Sequence, residues 1–288
     1  MIQAFSRLPR DTRLLLSARA ARSIGQGALI VAFALYLAAL GWSPVAIGGL
    51  FTAGLLIDAV LVMVSGPASD RFGRKRFLIV FECAQSGAAV IALATAQPAW
   101  LIVATLVGGF GRGVNGSSGP FSPVELAWLS QALPRQARGP VYSLNMAIGF
   151  TGMGLGALLA GLPSWLGDTL PGALAYRPLF VFTLAGSLIC IALLLAAGDR
   201  PDPVPAQPAR PGDTRQRDEN WLLVKLFGIN TLNGVGIGLV GPLMAYWFAA
   251  RFDRGPADIG VVMAIGYFVT AGASVAAARL VARIGTVA

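Results

Sequence analysis

Asp58 and Arg112 are the residues of this 288-residue chain whose types and placement most suggest chemistry. Each stands in a stretch of apolar residues long enough to cross a bilayer. The interval from Pro44 to Asp58 equals the interval from Pro98 to Arg112. At about 1.5 Å per helical residue, both are about 21 Å in from the same face. Charge at that depth is expensive and marks a functional position by default. Equal depth lets the two pair, and pairing removes most of the desolvation cost of either alone. Such a pair can relay a proton, orient a polar ligand or simply tie two helices together, and Arg112 could instead snorkel to the membrane surface. Asn115 follows on the same stretch. Glu125, after Pro120 and Pro123, is within reach of Arg135 or Arg138 for an ion pair, or of a proton path.

A second constellation is "SGPASDRFGRKRF", residues 65–77. Asp70, Arg71, Arg74, Lys75 and Arg76 crowd one short loop between two apolar runs, with Gly66 and Gly73 beside them. The glycines would permit close approach and a tight turn. Glu82, about 8 Å into the next run, reads as reaching back to Arg74 or Arg76.

The elements that must position these residues follow from composition. Only 12% of the chain is charged and 56% is hydrophobic, with 36 Gly and 18 Pro. Uncharged runs of about 20 residues are the mark of membrane-crossing helices. Spans are expected near 22–40, 46–66, 77–96, 99–119, 140–162, 178–197, 222–249 and 256–278, giving an all-α integral membrane protein. The fourth is interrupted by Arg112, Asn115 and two serines. It is kept because alternation then puts 18 of the 22 Lys and Arg on one side, the cytoplasmic side by the positive-inside rule. Arg7, Arg10, Arg13, Arg19 and Arg22 place the N-terminus there too. No cleavable leader is read in the first span.

Residues 199–220 are Pro-rich, charged and aperiodic, and read as an extended cytoplasmic linker. They separate a six-span unit (1–198) from a two-span unit (221–288). The two units share a register. "SPVAIGGLFTAG" from Ser43 resembles "GPADIGVVMAIG" from Gly255, and the offset of 212 that aligns Pro44 with Pro256 also aligns Arg71 with Arg283 and Gly73 with Gly285. Duplication implies a second half of which two spans are present.

At this point the residues resemble the major facilitator superfamily. Gly66, Asp70, Arg71, Gly73, Arg74 and Lys75 fill that family's signature between helices two and three. "RGVNG", Arg112 to Gly116, is similar to its fourth-helix pattern, with Asn115 where Gln is usual. Gly152, Gly156, Ala160 and Gly161 resemble the fifth-helix pattern of antiporters, with Gly156-Ala157 in place of Gly-Pro. The resemblance implies a complete six-helix first half plus the first two helices of the second, the chain stopping after its eighth span. It also implies alternating access between two halves, with residues 66–75 latching them together on the cytoplasmic side. Its implied activity is proton-coupled export of a small molecule across the cytoplasmic (inner) membrane. An uptake carrier, or an inactive scaffold-like fragment, is the alternative. Gln26, Tyr36, Asn145, Asn230, Asn233 and Tyr246 become substrate-cavity candidates by the same resemblance, or else hydrogen bonds between packed helices.

Other classes are disfavoured. A net charge of +9 suggests nucleic acid, but the basic residues fall in bursts between apolar runs rather than on a polar patch. The chain has no histidine, no phosphate-binding loop and no metal-ligand cluster, so neither an enzyme nor a cofactor or metal site is expected. Cys83 and Cys190 read as small buried hydrophobes. "GRGVNG" matches a dinucleotide-loop pattern by letters only, since no βαβ unit surrounds it. The glycines of "GMGLG" (152–156) and "GVGIG" (234–238) suit close helix crossings. The expected partners are the lipid bilayer, a small-molecule substrate and protons.

Overall fold

The computed structural model describes residues 8–116, 119–198 and 214–284. These form helices α1 (Arg10–Ala39), α2 (Pro44–Phe72), α3 (Arg74–Ala94), α4 (Pro98–Gly108), α5 (Phe121–Ala132), α6 (Arg135–Leu159), the short α7 (Leu162–Leu166), α8 (Pro178–Ala196), α9 (Thr214–Val240), α10 (Met244–Phe252) and α11 (Pro256–Ile284). No strand occurs among the described residues. Among the described residues, seven helical stretches are long and apolar enough to cross a membrane. Most span starts follow from helix-start chemistry. Proline occupies the first turn of α2, α4 and α8, where its missing N–H costs nothing. Ser43 caps α2 by accepting from the Ala46 amide at 3.2 Å. The repeat register agrees with the helix starts: α2 and α11 both begin at the aligned prolines, Pro44 and Pro256. The aligned Gly285 lies outside the described residues.

The first span is longer than its apolar run suggests. Helix α1 begins at Arg10, not near residue 22, and most of its 30 residues are buried. It is the axis of the bundle, packed along α6 and α8, and α11 packs along α6 and also touches α1. Glycine allows this closeness. A Cβ at Gly27 would overlap the Met153 backbone, and one at Gly156 would overlap the Ile24 carbonyl. The expectation of close crossing thus holds for "GMGLG". It fails for "GVGIG": Gly234 and Gly236 face open space on α9.

The fourth span breaks. Helix α4 ends at Gly108, and helix resumes only at Phe121. The described residues between them are non-helical, and Gly109, Gly111, Gly113, Gly116 and Gly119 all take positive φ. Left-handed backbone at so many closely spaced positions cannot sit in one right-handed helix. The expected continuous helix over 99–119 is therefore corrected to two half-helices flanking an unwound segment. The linker reading is corrected at its end: residues 214–220 are helical, while 199–213 lie outside the described residues. Cys190 is buried, but Cys83 is exposed on α3.

Candidate functional site

Breaking a helix in an apolar environment strands backbone polar groups that nothing else there can satisfy. In this chain, charged side chains take them. Arg112, carried on the unwound segment, turns back and donates through Nη2 to the Thr105 and Leu106 carbonyls, at 2.9 and 3.2 Å. The Thr105 carbonyl also accepts the Gly109 amide at 3.0 Å, so Arg112 is its second donor, and the Leu106 carbonyl is among the last acceptors of α4. Its Nη1 donates to the Gly54 carbonyl of α2 and stands 3.1 Å from Asp58 Oδ1. The segment's own carbonyls are held from α1. Gln26 Nε2 donates to Gly113 at 3.3 Å, and Arg19 donates to Gly116.

Two further ion pairs lie beside this one. Arg22 Nε is 2.8 Å from Glu82 Oε1, and Arg22 Nη2 donates to Gln85 Oε1 at 3.1 Å. The Arg22 guanidinium also lies over the Phe121 ring, 4.0 Å from its centroid. Arg19 Nη1 is 3.9 Å from Glu125 Oε2, which also accepts from Asn145 Nδ2 at 3.2 Å. Three guanidinium groups thus meet three carboxylates in the interior of the bundle. Asp58 differs from the others in access: its side chain is 21% exposed, against 0% for Glu82 and 1% for Glu125. Arg22, Gln26, Asp58, Gln85 and Arg112 line a common cavity.

These positions correct several expectations. Glu82 pairs with Arg22 of α1 rather than with Arg74 or Arg76. Glu125 pairs with Arg19 and Asn145 rather than with Arg138, and the side chain of Arg135 lies outside the described residues. Arg19 and Arg22 are interior residues, not part of a basic N-terminal face. Their spacing is the available signal: Arg19, Arg22 and Gln26 fall at i, i+3 and i+7, one side of a helix. Among the cavity candidates, Gln26 reaches the cavity. Tyr36 is buried in an aromatic cluster with Phe33, Tyr176 and Phe180. Asn230 and Asn233 are exposed on α9, Tyr246 is half-buried on α10, and Asn115 is exposed in the unwound segment.

The loop constellation forms a separate layer at one end of the bundle. Gly73 takes φ 89° in the turn between α2 and α3, a conformation that favours glycine. Asp70 pairs with Arg74 at 3.0 Å. Arg74 Nη1 then donates to the Ala127 carbonyl of α5, at 2.9 Å. Lys75 Nζ donates to the Leu195 and Ala197 carbonyls at the end of α8, at 3.2 and 2.7 Å. Cations at helix C-termini are where the helix dipole favours them. Gly66 has open space around it, so it mediates no close approach here. Arg71 is exposed, near the Phe72 ring.

Comparison with known sequences fits this arrangement. The sequence model of the Major Facilitator Superfamily matches residues 15–287. The chain belongs to that superfamily. Within it, the chain is similar to the gallate transporter of Pseudomonas putida, 32% identical over 158 residues, covering 54% of this chain and 31% of that protein. It is similar to the arabinose-proton symporter of Bacillus subtilis (strain 168), 30% identical over 110 residues, 38% of this chain and 22% of that protein. It is also similar to the uncharacterized transporter YdeE of Escherichia coli (strain K12), 31% identical over 170 residues, 55% and 41%. The chain thus matches less than half the length of each of these superfamily members. Membership, together with the long apolar helices, makes the chain a multi-pass membrane protein.

Proposed function

We propose that the chain forms the first half and the start of the second half of a proton-coupled carrier. It moves a small molecule across the cytoplasmic membrane by alternating access, with its N-terminus and the Arg74–Lys75 layer on the cytoplasmic side. Export is the direction assigned, on the resemblance of the α6 glycine pattern to that of antiporters. The Asp58–Arg112 pair carries the reading. Of the three interior carboxylates, Asp58 alone has appreciable access, and its partner simultaneously holds α2 and the end of α4. Protonating Asp58 removes the charge that retains one edge of Arg112, and loosens the joint between α2 and the unwound segment. The printed name of the arabinose-proton symporter supports the proton coupling alone, and the direction rests on the glycine pattern. Residues 66–75 act in this scheme as the latch between halves.

The test is transport into vesicles reconstituted with the full chain under an imposed pH gradient. Asp58→Asn should abolish gradient-driven accumulation and leave exchange at equal pH on both sides. Accumulation that persists in the variant would remove Asp58 from coupling.

A further inference from the structure

The Arg112 guanidinium sits where its shape, and not only its charge, is matched. Its Nη1 edge meets the Gly54 carbonyl and Asp58 Oδ1 on α2, and its Nη2 edge meets the Thr105 and Leu106 carbonyls on α4. The two Nη atoms carry four N–H donors, and four acceptors face them. Those acceptors belong to two helices and lie along two edges of one planar fork. A guanidinium matches that arrangement, whereas a compact ammonium offers its donors from a single point. The surroundings are bare where the group lies. A Cβ at Gly54 would come within 3.2 Å of Nη1 and 3.3 Å of Cζ, and one at Gly109 within 3.2 Å of Nη2.

We propose that Gly54, Asp58, Thr105 and Leu106 form a receptor for guanidinium cations, which the chain fills with its own Arg112. Docking of that group holds the unwound segment to α2 and to the end of α4, as Gln26 and Arg19 hold it to α1. The receptor is separable from the side chain that fills it. Cutting Arg112 back to its Cβ leaves a space that has already held the cation. It also leaves Asp58 without its partner, and an uncompensated carboxylate in so low a dielectric attracts a replacement. The Asp58 side chain, 21% exposed, gives a free cation a way in. The inference goes beyond the carrier reading and stands without it, since nothing need be transported.

Hydrogen–deuterium exchange of the full chain in lipid nanodiscs tests it. Arg112→Ala should speed exchange of the Gly109–Gly116 amides at least about tenfold, the loss of one hydrogen bond to a charged group. About 10 mM guanidinium chloride, far below its denaturing range, should restore protection saturably. Sodium and ammonium chloride at the same concentration should not, and Arg112→Lys should exchange as fast as Arg112→Ala. The intact chain should not respond to guanidinium, because its receptor is already full. Should Arg112→Ala fail to fold, Gly54→Val keeps Arg112 and Asp58 and crowds the receptor from α2. Its Gly109–Gly116 amides should exchange faster than those of the intact chain, and guanidinium should not slow them. Repair by ammonium as effective as by guanidinium, or no repair in a folded Arg112→Ala chain, would overturn the receptor. So would a Gly54→Val chain that exchanges at the rate of the intact one.

Discussion

Replacing Arg22 by Leu should cost about 3–5 kcal/mol of stability, and replacing Glu82 by Leu should cost a similar amount. The size follows from burial. The two side chains are 4% and 0% exposed and 2.8 Å apart, so solvent does not screen whichever charge is left behind. The double variant Arg22→Leu/Glu82→Leu should be more stable than either single one. An apolar pair of similar volume replaces a desolvated ion pair at little net cost, and sometimes with a gain. The cycle therefore predicts a coupling of several kcal/mol between two residues that stand on different helices, far apart in the chain. Equilibrium unfolding of the purified chain by SDS titration in mixed micelles reads all four corners. Strictly additive penalties, with the double variant as unstable as the sum of the singles, would refute the idea that these two charges are each other's main compensation. The residual contacts of Arg22 with Gln85 and the Phe121 ring set the floor of the Glu82→Leu effect.

Other expectations are simpler to check. Gly156→Leu should separate α1 from α6, because its side chain would meet the Ile24 carbonyl; SDS titration should show a loss above about 2 kcal/mol. Gly66→Ala meets nothing and should be neutral or stabilising by up to about 1 kcal/mol. Gly111→Ala faces both a φ of 74° and the Phe51 ring, and should cost more than about 1 kcal/mol in the same titration. Lys75→Met frees the Leu195 and Ala197 carbonyls, so hydrogen exchange should accelerate at the last turn of α8 without global unfolding.

The long helices are legible in the sequence because apolar run length is what a bilayer demands. Where a run ends in charge, hydropathy misleads in one characteristic way. Arg19 and Arg22 lie before the first uncharged stretch, and hydropathy counts them as outside the membrane layer. Only their helical phase, shared with Gln26, shows that they face inward. Equal intervals from two prolines match Asp58 with Arg112. They do meet, although the straight helix that such a count assumes ends at Gly108. The break itself is written in "GGFGRGVNGSSGP". Glycine at that density suggests tolerance for close packing. Its other use, backbone of the opposite hand, can be recognised only when side chains such as Arg112 and Arg19 are seen donating to the Leu106 and Gly116 carbonyls. Sequence proximity suggests local partners for Glu82 and Glu125, whereas packing of α1 through the centre of the bundle supplies them from a much earlier part of the chain.

The interrupted fourth span has a consequence for how the chain is built. Its first apolar piece, Pro98–Gly108, is 11 residues long, about half of what a bilayer crossing needs. On leaving the ribosome it cannot be accepted by the translocon as a self-sufficient segment. The groups that complete it, Arg19 and Gln26, belong to the first span, which has already been synthesised. Insertion of the fourth span should therefore depend on the first. A defect in that early helix would surface during biosynthesis as a later segment stranded outside the bilayer.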